Sequence, residues 1–191
     1  MTETMEVGLV GAGAAIVGGL ISGAYQHFRD WLTRPKLKLD FDPADDKMET
    51  FWEGRHPFNG ILLRASVRNE GNRPVLNCQV FLTALKNIHT TGESRTSFKD
   101  PQQIAWAGWS FDPKRIPHGV TFYVDVARVS KHEPGWQFTF ERGVAEDLTN
   151  FKGTYRFKLV AVADNAEPAY LDLDTEYFGD WHNLRAWRPG T

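Results

Sequence analysis

Ile61-Leu62-Leu63-Arg64-Ala65-Ser66-Val67-Arg68-Asn69-Glu70-Gly71-Asn72-Arg73-Pro74-Val75-Leu76-Asn77-Cys78-Gln79-Val80-Phe81-Leu82-Thr83-Ala84-Leu85 carries the clearest structural signal in the chain. In its first arm Leu63, Ala65 and Val67 alternate with Arg64, Ser66 and Arg68. A period of two is the mark of a β-strand with one buried face. Glu70 to Pro74 supplies the turn, because Gly and Asn tolerate positive φ. The second arm alternates again, so Leu76, Cys78, Val80, Leu82 and Ala84 are expected to point inward. Cys78, the single cysteine, falls on that apolar face and reads as a small core residue.

The same period recurs on both sides of this hairpin. Leu37, Leu39 and Phe41 share one face of Lys36–Asp42, and a polar loop is expected over 43–59. Its carboxylates lack the spacing of a calcium loop. Residues 86–102 read as a second polar loop, followed by an aromatic strand from Ile104 to Phe111. Phe122, Val124 and Val126 alternate in Val120–Val129, and Trp136, Phe138 and Phe140 alternate after Pro134-Gly135. A helical turn is expected within 143–150. Thr154–Ala163 and Tyr170–Tyr177 form a hairpin, with Asp172, Asp174 and Glu176 on its solvated face. About eight strands with regular turn signals predict an all-β antiparallel Ig-like β-sandwich over 36–191.

Val67-Arg68-Asn69-Glu70-Gly71 with Val75 and Val80 resembles the strand–turn–strand of bacterial Ig-like modules, CARDB-type domains among them. It is similar as well to uncharacterised single-span bacterial membrane proteins whose soluble part carries this hairpin. The resemblance covers about 20 residues and implies sandwich geometry, with no functional residue to transfer. CARDB-type domains are usually extracellular.

Upstream, Val7 to Phe28 is a run of 22 residues without a charge. A helix rising about 1.5 Å per residue needs about 20 to cross a bilayer core, so one N-terminal transmembrane helix is expected at 7–28. It follows a short segment at 1–6 and precedes a juxtamembrane linker at 29–35. Gly11, Ala15, Gly19 and Gly23 recur every four residues, a small-residue stripe on which spans pack into homo-oligomers. Arg29, Arg34, Lys36 and Lys38 follow the span and no basic residue precedes it. The positive-inside rule then places the C-terminal domain in the cytoplasm, under a cell inner membrane. Two other readings compete. A signal peptide needs a positive start, which Met1–Glu6 lacks. A dinucleotide loop needs a third glycine where Ile16 stands, and a βαβ continuation.

Removing 28 of the 191 residues leaves 163, enough for one domain with its own core. That part carries all 22 basic residues and, without Glu3 and Glu6, 22 of the 24 acidic ones. Formal neutrality argues against nucleic acid as a partner. His27, His56, His89, His118, His132 and His182 are scattered without metal-ligand spacing, and no nucleophile elbow or phosphate loop occurs. No enzyme activity, cofactor or metal is inferred. The tail concentrates Trp181, His182, Arg185 and Trp187, residue types that dominate interface hot spots, so it is a candidate partner surface. Its alternative role is to cover the open end of the sandwich with Trp181 and Leu184. The expected function is a membrane-anchored binding, scaffold or sensor module for an unknown protein or small ligand. An exported surface or periplasmic adhesion module is the alternative.

Overall fold

The computed structural model describes residues 25, 29, 33–52, 58–88, 100–131, 135–138, 140 and 152–190. Residues 7–24, with Gly11, Ala15, Gly19 and Gly23, lie outside them, as do 143–150. Among the described residues no helix is long and apolar enough to cross a membrane. The chain divides into two compact units, Met1–Arg34 and Pro35–Thr191.

The strands of the second unit are β1 (Leu37–Asp40), β2 (Lys47–Trp52), β3 (Phe58–Asn69), β4 (Val75–Asn87), β5 (Gln102–Gln103), β6 (Lys114–Ile116), β7 (Thr121–Ser130), β8 (Trp136–Gln137), β9 (Gly153–Ala163), β10 (Ala166–Tyr177) and β11 (Arg185–Trp187). All pairings are antiparallel. One sheet runs β1-β3-β7-β8, with β2 beside β3, and the other runs β11-β10-β9-β4-β5, with β6 beside β4. Their inner faces share one core, including Leu63 and Val67 from the first sheet and Leu82, Phe157 and Leu173 from the second. The described part of the second unit is therefore all-β with two antiparallel sheets, consistent with a β-sandwich.

Several expectations change in the details. The loop expected at 43–59 contains β2 and the start of β3. β2 is an edge strand whose Lys47 sits opposite core-facing Leu63 and donates from Nζ to the Leu184 carbonyl. An inward charge protects an edge from stray pairing, and here it also hides the strand's alternation. Leu76 is not inward: it is 40% exposed, while Val75 and Cys78 are fully buried. The cause is an irregularity between Val75 and Cys78, with Asn77 at φ 53°. Asn165 and Asp164 of the β9–β10 turn hold that kink, through Asn165 Oδ1 to the Leu76 N–H and the Asp164 N–H to the Leu76 carbonyl. Burial pushes the Cys78 thiol up to about 12, which disfavours its thiolate.

Asn69 holds the turn that the hairpin sequence predicts. Its side-chain N–H groups donate to the carbonyls of Arg73 (2.7 Å) and Ile116 (3.1 Å), and its Oδ1 accepts from the Gly71 N–H (3.0 Å). Gly60 lets β3 and β7 approach closely, since a Cβ there would stand 2.0 Å from the Val129 carbonyl oxygen.

The turn between β1 and β2 buries a carboxylate. Asp46 is buried and accepts the Asp42 N–H at 2.8 Å, with Asp40, Asp42 and Asp45 nearby. Burial above all raises its proton affinity, and the neighbouring carboxylates add to the shift. A group that holds its proton more tightly when folded loses stability as pH rises through its folded pKa. Asp46→Asn keeps the acceptor and removes the charge. Its urea midpoint is expected above that of the parent at pH 7, with the gap closing toward pH 3. An unchanged gap across that range would contradict this reading.

Candidate functional site

The outer face of the five-stranded sheet gathers the most distinctive side chains. β3 places Leu62, Arg64, Ser66 and Arg68 there by alternation. β7 places Tyr123 and Asp125 beside them, and then its phase changes. Leu63 pairs with Ala127 while Arg64 pairs with Asp125, so Val126 is one residue too many. Val126 and Ala127 are both buried, and Arg128 emerges on the outer face instead of entering the core.

An irregular crossing builds the rest. The aromatic run 104–111, expected as a strand, is a corner that changes sheets. Gln102 and Gln103 pair with β4, and the Ile104 N–H reaches the Val80 carbonyl. One residue later the chain bonds β7 instead, through the Asp125 N–H to the Ala105 carbonyl and the Ala107 N–H to the Tyr123 carbonyl. Trp106 is buried at this corner, edge-on to Phe122. A tight turn follows, closed by bonds from the Trp106 N–H to the Ser110 carbonyl and from the Trp109 N–H to the Trp106 carbonyl. Gly108 has φ 94° and Trp109 has φ 70°. Glycine takes that conformation freely, whereas a bulky aromatic side chain there is strained. Trp109 is nevertheless 56% exposed.

Trp109 lies over Arg128, whose guanidinium carbon is 4.9 Å from the indole centroid and 5.4 Å from the Phe58 ring. Arg128 Nε also donates to Gln137 Oε1 at 2.7 Å. Beside it, Arg64 Nε donates to Asp125 Oδ1 at 2.9 Å, and Arg64 Nη1 meets the Met48 thioether. Together with Leu62 and Ala127 these groups enclose a cleft of about 80 Å³. A wider groove of about 200 Å³ continues along the same face between Arg68, Tyr123 and the Asp42–Asp46 turn. Among the described residues no group of His, Cys, Asp or Glu is arranged to hold a metal.

The tail is divided. Leu184 and Ala186 enter the core and Trp181 packs against it. His182 is exposed beside Trp181, with ring centroids 3.7 Å apart, and its Nδ1 lies 3.1 Å from Asp180 Oδ1. Arg185 and Trp187 face outward from β11, opposite Glu176 and Asp174. Asp174 is buried and takes a two-pronged bond from Arg156 at 2.6 and 2.8 Å. The acidic row is thus partly paired within its sheet: Asp172 reaches Lys158 as well. No sequence signal singled out Trp109, because its importance comes from a left-handed turn and a neighbour 19 residues away. No family model matches the chain, and no curated protein matches it either.

Proposed function

We propose that the chain is a single-pass, membrane-anchored Ig-like β-sandwich that binds a protein or small-ligand partner and has no catalytic role. The observation that carries the binding role is the strained, exposed Trp109 held over Arg128 beside a cleft. An aromatic and an arginine pre-positioned at an energetic cost are typical of a recognition surface. Anchorage rests on the uncharged run at 7–28, and a cytoplasmic domain rests on the basic residues that follow it. The Gly11, Ala15, Gly19 and Gly23 stripe would let spans associate and cluster the domains.

Carbonate extraction of membranes tests the anchor. The full chain is expected to stay in the pellet, and release into the supernatant would refute anchorage. Gly19→Leu combined with Gly23→Leu is expected to abolish crosslinked oligomers in detergent while the domain stays folded. Unchanged crosslinked species would remove the self-association.

A further inference from the structure

The turn that carries Trp109 is built like a flap. Its ends are fixed: Trp106 is buried, its N–H bonds the Ser110 carbonyl, and the Ala107 N–H bonds the Tyr123 carbonyl of β7. Between those ends Gly108 and Trp109 stand at φ 94° and φ 70°. A Cβ on Gly108 would meet nothing within 4 Å, so this part of the turn has room to change its backbone angles. Trp109 is 56% exposed and stands outside the hydrophobic core, so its withdrawal opens no void there. Two effects decide where the ring rests. A bulky side chain at positive φ is strained, which favours a turn with residue 109 at negative φ. The Arg128 guanidinium, 4.9 Å from the indole centroid, draws the ring back over the cleft. Strain at one residue and an exposed cation–π contact are of the same order, so neither position excludes the other.

We propose that Trp109 is a two-position lid on this cleft, closed by Arg128 and opened by relief of its own backbone strain. The described position is the closed one, in which Trp109 walls the cleft with Leu62, Ala127 and Gln137. The open one uncovers those residues and the face of the Arg128 guanidinium. The proposal rests on the reading of this cleft as the recognition site and supplies its regulation, since a partner enters when the ring swings away. Its test uses the full chain in detergent without any partner, labelled with 5-fluorotryptophan, the Trp109 resonance being assigned by Trp109→Phe. That resonance is expected to show a second population or relaxation dispersion on the μs–ms scale of lid motions. In glycine-labelled protein the Gly108 amide, assigned by Gly108→Ala, is expected to exchange at the same rate, because the backbone turns with the ring. Arg128→Gln is expected to raise the open population about threefold, and Arg128→Lys to fall between it and the parent. The Trp136 resonance from the core reports folding in both variants. One narrow Trp109 resonance with flat dispersion would overturn the lid, as would an unchanged open population in the folded Arg128 variants. A quiet Gly108 amide would reduce the motion to ring rotation and overturn it as well. A fixed Trp109 would leave the binding reading standing, whereas a moving Trp109 over a cleft that no partner enters would sink that reading alone.

Discussion

Trp136→Ala is expected to lower the free energy of unfolding by about 4 kcal/mol, near the upper range for loss of a large buried aromatic. Trp136 is 1% exposed and stands on β8, which pairs with β7 of the five-stranded sheet. Its ring meets Phe157 at 5.2 Å and Tyr177 at 5.4 Å, both nearly edge-on, and both belonging to the other sheet. Phe138 extends the cluster to Phe140 by stacking at 5.2 Å. Truncation therefore removes burial, edge-to-face contacts and a bridge between sheets at one position. Urea unfolding would measure the loss, with the slope unchanged if the native fold persists. Trp136→Phe should keep most of the stability, since it preserves an aromatic partner for Phe157. A loss under about 1 kcal/mol for the alanine variant would mean the cluster closes over the gap.

Asn69→Leu is expected to cost about 3 kcal/mol, despite its similar size and greater hydrophobicity. The change removes the side chain that bonds the Arg73 and Ile116 carbonyls and the Gly71 N–H, at a position where Asn69 and Gly71 are themselves buried. Asn69 Oδ1 also accepts the Lys36 N–H at 3.3 Å, where β1 begins. Leaving such groups unsatisfied costs more than the same hydrogen bonds gain when made. His118 Nδ1, 2.8 Å from the Gly71 carbonyl oxygen, shares this turn, so local hydrogen exchange at 70–74 should rise together with the global loss. A neutral Asn69→Leu would show that water replaces the lost partners.

Alternation made the long strands legible: Leu63–Val67, Val80–Leu82, Phe157–Leu159 and Leu171–Leu173 all face the core as their period requires. It failed wherever the phase slips. Val126 and Asn77 each shift a strand by one residue, and composition does not announce either site. The 104–111 run misled for a different reason. Its apolar residues suit a strand, yet Gly108 and Trp109 both take positive φ, and the chain turns back at Ser110. β2 was hidden by its polarity, which suits an edge. The cleft beside Trp109 was less legible still. Arg64, Arg128 and Trp109 come from three segments, and only sheet register and a bulge bring them onto one face. The tail, richest in interface residue types, gives Leu184 and Ala186 to the core.

The proposed arrangement joins a clustered anchor to a β-sandwich domain with a small cleft beside Trp109. Orientation decides which partners can reach that cleft. Protease protection of the full chain, in intact cells and in spheroplasts, measures it. The domain is expected to resist added protease in both and to be cut only after the inner membrane is opened. Digestion of the domain in spheroplasts with an intact inner membrane would place it outside, contradicting the cytoplasmic orientation and favouring an exported adhesion role.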